Sequence, residues 1–245
     1  MTLSLAVVCE APADQRTGCD LADRVFCAEV RGLKSDLLDD FRLWRGFVTT
    51  ARCVLWKELR GIAQSLHIRV PQGHFDGDPK KSDAAAARRA IRVLMRAEVP
   101  FHAVVLLRDG DRDGERIQGL EQARREARFG MPVVIGVANT MRECWVLAGF
   151  EPKSDAEQSR LASLRRELGF DPRENAHRLR AKHRHDKNSP KRVLGVLTEG
   201  DVDRETSCWQ ATDLELLKQR GKDNGLADYL DEVKTHLVPL FSARS

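Results

Sequence analysis

Apolar and polar positions follow two rhythms along this chain. "LSLAVVCE" (residues 3–10), "HAVVLLRD" (102–109) and "MPVVIGVAN" (131–139) are short, nearly continuous apolar runs that stop at polar residues. Such runs predict strands buried on both faces. Between and after them, "CDLADRVFCAEV", "AAAARRAIRVLMRAE", "GERIQGLEQARREAR" and the opening of "TMRECWVLAGF" carry helical spacing. Ser82 or Asp83 stands where a cap for the alanine-rich helix belongs. The stretch from Leu37 to Leu66 also reads as helix, with Phe41, Trp44, Val48, Leu55, Leu59 and Ile62 at spacings of mostly three, four or seven. "HIRVPQGHFDGDPKK" interrupts that pattern with proline and glycine and predicts a loop holding a short strand.

Alternating strands and helices predict an α/β fold, a mostly parallel sheet flanked by helices. Beyond about residue 151 the periodicity is helical, in "SRLASLRRELGF", "LELLKQRG" and "LADYLDEVKTHLVPLF", and "RVLGVL" is the one candidate strand. The division expected is an α/β domain over residues 1–150 and a mainly helical, basic extension over 151–245.

Composition narrows the class. The chain has 245 residues, 42% of them hydrophobic, which fits a folded protein and argues against disorder. Net charge is only +4, so the placement of charge says more than its total. Six cysteines occur without any CxxC spacing, against a zinc knuckle and in favour of reduced thiols in a cytoplasmic protein. The first residues lack a basic region ahead of their apolar run, and no run approaches the ~20 apolar residues of a membrane span, so no membrane partner is expected.

Chemistry enters at "VVLLRDGDRDGERIQG", residues 104–119, where Asp109, Asp111, Asp113 and Glu115 crowd the end of a predicted strand. In a parallel sheet the carboxyl ends of the strands line the ligand crevice. Glu10 ends the first strand, and if the two strands are neighbours these carboxylates converge. Their repulsion raises carboxylate pKa values unless a cation intervenes. A hard divalent ion with oxygen ligands, most simply Mg2+, removes it. The plainer alternative is an acidic loop capping the helix that begins near Glu115. Positions 109, 111 and 113 face one way only if the backbone stays extended, whereas Gly110 and Gly114 also permit a tight turn.

D-G-D-R-D-G-E after an apolar strand resembles the acidic motif of the Toprim domain, the metal-binding fold shared by topoisomerases, bacterial primases and OLD-type nucleases. "AVVCEAP" is similar to the first Toprim motif, a strand ending in glutamate, here Glu10. Together the motifs cover roughly residues 1–150. One departure stands out: Ala11 occupies the position where the family usually has glycine, followed by Pro12 and Ala13. "GVANTMRECWVLAGF" looks like a segment of uncharacterised bacterial Toprim-like proteins associated with defence, and "SPKRVLGVLT" resembles their helical tail. The resemblance implies phosphodiester chemistry. Glu10, Asp109, Asp111 and Asp113 would hold Mg2+, with Mn2+ as a substitute, and Glu143 would be an outer ligand or orienting base. Otherwise Glu143 is a solvated helical acid beside the packing residues Trp145, Leu147 and Phe150.

Several Toprim activities do not suit the chain. A topoisomerase needs a tyrosine nucleophile and gate domains, and the single tyrosine, Tyr229, lies in a predicted C-terminal helix. A primase would usually bring a zinc module. No GxxxxGK[ST] motif is present, so any ATPase must be a separate partner chain. A compact nuclease in a bacterial defence or mobile-element system is the expectation; a non-catalytic adaptor of the same fold is its rival, and homo-oligomerisation is open.

The segment "AHRLRAKHRHDKNSPKR", residues 176–192, favours a polyanionic partner, DNA ahead of RNA. Arg178, Arg180, Lys182, Arg184, Lys187, Lys191 and Arg192 face one acid, Asp186. Such a stripe can neutralise phosphates without reading sequence, though it can also be an ordinary solvated face. His177, His183 and His185 lie in it, where surrounding cations oppose metal binding. Glu199, Asp201, Asp203 and Glu205 repeat the acidic spacing, but no long apolar run precedes them, so helix capping by Thr198 or Asp201 is expected. Asp76, Asp78 and Asp83 lack the spacing of a calcium loop.

Overall fold

The computed structural model describes residues 2–69, 74–75, 78–111, 113–126, 130–180, 183 and 185–242. In chain order the elements are β1 (Leu3–Cys9), α1 (Pro12–Glu29), α2 (Leu38–Phe41), β2 (Arg42–Arg45), β3 (Val54–Leu55), α3 (Leu59–Ser65), β4 (His74–Phe75), β5 (Asp78–Pro79), α4 (Ala84–Leu94), β6 (Ala103–Asp109), α5 (Glu115–Glu126) and β7 (Val133–Ala138). There follow α6 (Arg142–Ala148), α7 (Asp155–Leu168), α8 (Pro190–Thr198), α9 (Val202–Ala211), α10 (Leu214–Arg220), α11 (Leu226–His236) and α12 (Pro239–Ser242).

The main sheet is parallel, in the order β2-β1-β6-β7, with β3 also paired to β1. It is an α/β fold with a mostly parallel sheet, flanked by helices and followed by a helical C-terminal part, as the alternation predicts. All seven residues of β1 are buried, as are all six of β7, which explains their unbroken apolar runs. Side chains alternate between faces along a strand. Leu5, Val7, Val105, Leu107 and Val134 join a core with α1 and the helices from α6 onward. Ala6, Val8, Val104, Leu106 and Ile135 join the other core, under α3, α4 and α5. The C-terminal helices therefore share the sheet's own core. Tyr229 of α11 stacks on Trp145 of α6 with ring centroids 5.0 Å apart, and its hydroxyl donates to the Gly18 carbonyl at 2.8 Å.

Two expectations change. The stretch 37–66 is not one helix: α2, β2, β3 and α3 divide it. β2 pairs with the first half of β1 and β3 with the second, so one edge of β1 is covered by two short strands. Asp23 of α1 anchors β2, accepting from Arg42 at 2.8 Å and from the Trp44 indole at 2.8 Å. At Gly46 a Cβ would lie 2.3 Å from the Cys53 carbonyl oxygen, so only glycine lets the intervening loop close. Tertiary pairing thus overrides an accidental helical spacing. "RVLGVL" is helical, within α8. Pro190 sits in its first turn, and Val193, Leu194 and Leu197 recur at helical spacing on the buried side.

Candidate metal centre

Because β1 and β6 are adjacent parallel strands, with Val8 opposite Leu106, their carboxyl ends lie side by side. Glu10 follows one and Asp109 ends the other. Ala11 does not spoil the turn after β1. Its φ of −146° is extended backbone open to any residue. Asp14 Oδ2 accepts the Ala11 N–H at 2.8 Å and the Glu10 N–H at 3.1 Å, fixing the entry into α1.

After β6 the chain turns and the alternation of positions 109, 111 and 113 ends. Gly110 packs closely, since a Cβ there would stand a tight 3.1 Å from the Ala138 carbonyl. The left-handed residue of the turn is Asp111 itself, at φ +43°, a conformation aspartate tolerates better than most residues. The three aspartates consequently have different surroundings. Asp109 Oδ1 accepts the Arg142 N–H at 2.8 Å, at the start of α6. Asp111 is half exposed and lies 3.2 Å from Arg116 Nη1. Asp113 Oδ1 accepts the Glu115 N–H at 3.0 Å and so caps α5, the plainer role weighed above. Hydrogen bonds from Ser82 and that N–H hold its carboxyl below the usual range.

Asp109 carries the clearest electrostatic signature. Burial, together with the charges of Asp14, Glu10 and Glu143, pushes its pKa up to about 8 despite the opposing Arg142 hydrogen bond. Asp14 is shifted upward as well, chiefly by burial. Glu143, in the first turn of α6, lies 3.6 Å from the Arg142 guanidinium, which also contacts Glu205 at 3.2 Å and Thr17 Oγ1 at 3.1 Å. Trp145, Leu147 and Phe150 are buried beneath it.

Two arginines neutralise the rest. Arg108 lies 3.3 Å from Glu10 Oε1, grips Asp83 through two hydrogen bonds of 3.0 and 3.1 Å, and has its guanidinium 5.0 Å from the Trp56 ring. Arg116 Nη1 is 3.9 Å from Glu10 Oε1 and 3.2 Å from Asp111 Oδ2, and donates to the Asp109 carbonyl at 2.5 Å. Its Nε lies 3.4 Å from Asp83 and 4.0 Å from Asp113. Asp83, expected as a helix cap, occupies that position at φ +62° without capping and serves these arginines instead.

Among the described residues no three His, Cys, Asp or Glu side chains are already grouped to hold a metal. The donor set nonetheless suits a hard cation. Glu10 Oε1, Asp111 Oδ2 and the Asp109 carbonyl oxygen all face one positively charged nitrogen, Arg116 Nη1. These are anionic or carbonyl oxygens of the kind Mg2+ and Ca2+ take.

A crevice of about 600 Å3 adjoins the acidic loop, lined by Gly110, Asp113, His177, Arg180, Lys222 and Asp223 among others. Of the arginines and lysines of the basic segment that are described, Arg180 lines it, beside His177. Arg178 packs over Phe170 at 4.4 Å, and Lys187 is exposed. Lys191 and Arg192 line a separate groove on α8, where Arg192 pairs with Glu167 at 2.9 Å. Lys182 and Arg184 lie outside the described residues, as does Asp76. The second acidic segment is structural: Asp201 caps α9, accepting from Asp203 N at 2.8 Å and Arg204 N at 3.2 Å.

Asp14, Asp83, Arg108, Arg116, Arg142 and Lys222 were not singled out from sequence as site residues. For Arg108 and Arg116 the signal was present, as arginines interleaved with the acids of residues 104–119. No protein-family model, curated protein or solved structure matches the chain.

Proposed function

We propose that the chain is a Toprim-like, Mg2+-dependent phosphodiester hydrolase acting on nucleic acid, DNA ahead of RNA, with Mn2+ able to substitute. The observation that carries this reading is the meeting of Glu10 and Asp111, from the ends of two neighbouring parallel strands, on one cationic nitrogen beside the raised carboxyl of Asp109. Glu10 and Asp111 would hold the ion with Asp109 at its side. When bound, the ion would supply Lewis-acid activation of a phosphodiester and a more acidic water. Asp113 anchors the loop by capping α5, and Glu143 holds Arg142 in place behind Asp109. Arg180 and Lys222 give the adjoining crevice two cations for a phosphate backbone. A bacterial defence or mobile-element setting accompanies the proposal through the family resemblance, a cytoplasmic location through the unpaired spacing of the cysteines, and a separate ATPase chain through the missing GxxxxGK[ST] motif; self-association stays open. No described helix is long and apolar enough to cross a membrane.

The test is cleavage of DNA and RNA with Mg2+ or EDTA. Asp111→Ala is expected to abolish metal-dependent cleavage with the fold retained; unchanged cleavage in that variant would remove the assignment.

A second reading, a non-catalytic adaptor of the same fold, is favoured by a specific observation. Arg108 lies 3.3 Å from Glu10 and Arg116 3.2 Å from Asp111, so cations of the chain itself balance both acids. DNA binding equal in Mg2+ and EDTA, with no cleavage, would select it.

A further inference from the structure

We propose that Arg116 is a built-in counter-cation of the acid pocket, filling the place a divalent ion would take and swinging aside when one binds. The inference rests on the metal-dependent reading above.

Three observations carry it. First, Arg116 meets the residues expected to bind metal: Glu10 and Asp111 through their carboxylates, Asp109 through its carbonyl, and Asp113 at the margin. Second, its side chain is only 18% exposed although it belongs to the first turn of a surface helix, so it is drawn inward onto the acids. Third, its grip differs from that of Arg108. Arg108 is forked onto Asp83 by two hydrogen bonds and lies over Trp56, a fixed arrangement. Arg116 is spread over four carboxylates, at 3.2 to 4.0 Å from Asp111, Asp83, Glu10 and Asp113, and donates to the Asp109 carbonyl at 2.5 Å. Such contacts exchange more readily, and the long stem of arginine lets the charge leave without moving the helix.

The consequence is competition. A tethered cation that occupies the site most of the time lowers the apparent affinity for a divalent ion by the fraction of time the site is open, so an open fraction of about 10% weakens binding about tenfold. Removing the tether restores that factor. Arg108 also reaches Glu10, at 3.3 Å, but two hydrogen bonds fork it onto Asp83, so it competes less.

The experiment measures Mn2+ binding to the full chain by titration calorimetry, with activity playing no part. Arg116→Gln is expected to bind Mn2+ about tenfold tighter than the unaltered protein. Arg116→Lys, which keeps the charge, should stay much closer to it, and Arg108→Gln, which frees Glu10 alone of the two carboxylates, should tighten binding less than Arg116→Gln does. If the unaltered protein binds Mn2+ and Arg116→Gln binds no better, the counter-cation role is wrong while the metal site stands. If neither binds, both fall. Because Arg116→Gln leaves several carboxylates without their cation and can impair folding, a second measurement uses the unaltered chain. Added Mg2+ should move the Arg116 Nε–H NMR resonance towards its solvent-exposed position; a resonance that stays put while the ion binds overturns the proposal.

Discussion

Residues 109–115 and 199–205 carry the same spacing, an acid at every second position, yet they come to different ends. The first follows β6, a strand whose first five residues are buried, so Asp109 is drawn into the sheet's end and its carboxyl rises to about 8. The second follows α8 through a turn at Glu199 and Gly200, both with positive φ. There Glu199 is exposed and pairs with Arg160 at 3.2 Å, Asp201 caps α9, and Glu205, partly buried, reaches back to Arg142 at 3.2 Å. Burial at the strand end raises the Asp109 carboxyl, whereas acids standing just ahead of a helix, Asp113 as well as Asp201, become caps. A buried strand supplies desolvation and a neighbouring strand supplies a second acid; the start of a following helix, as at α9, supplies N–H groups to satisfy.

The comparison breaks first under substitution for activity. Asp111→Ala should lower Mg2+-dependent cleavage by at least about 100-fold, the scale on which metal-assisted charge stabilisation acts. Asp203→Ala, within the second acidic segment, should leave cleavage unchanged. Equal losses in the two would erase the distinction.

Next in size is the substrate path. Arg180→Glu should weaken binding of a DNA oligonucleotide in EDTA about tenfold and flatten its salt dependence, measured by fluorescence anisotropy. Lys191→Glu, in the separate groove on α8, should cost less. The reverse order would move the nucleic-acid path to α8.

Asp109 sharpens the contrast through pH. Its ordinary value is 3.8 and its folded value about 8, so between them the folded chain holds a proton the unfolded chain has lost. Stability from this group therefore falls as pH rises across that window, and the cost is fully present above it. The groups facing it are Glu10 after β1, Asp14 on α1, and Arg142 and Glu143 on α6. Asp109→Asn should melt higher than the unaltered protein at pH 9, on the order of 5 °C, with the gain disappearing near pH 4. A gain that persists at acid pH would contradict the raised carboxyl.

The smallest effect belongs to the second segment. Asp201→Ala should lose the α9 cap, about 1 kcal/mol, seen as a melting point lower by about 2–4 °C. Cleavage should be unaffected.

Much of the architecture was legible because sheet burial writes itself into sequence. β1, β6 and β7 read as apolar runs since helices cover both faces. The edge strand β2 was not legible: Arg42 and Trp44 are partly covered, Leu43 is exposed and the buried fourth residue is a charged one, Arg45, and the pairing with β1 depends on contacts such as Asp23 that lie far back in the chain. The site divides the same way. Glu10 and the aspartates were visible as strand-end acids. The arrangement of their cations was not, because Arg108 and Arg116 meet Glu10 and Asp83 only after four separate segments fold together. Sequence foresaw acids needing a positive charge; folding supplies one from within the chain.

The most direct measurement is the anomalous scattering of crystals soaked in Mn2+. One strong peak between the carboxylates of Glu10 and Asp111, with the Arg116 guanidinium displaced, is the predicted result. Carboxylates still held by Arg116 at saturating Mn2+, with no peak there or a peak only beside Glu199 to Glu205, would contradict the metal centre at the ends of β1 and β6.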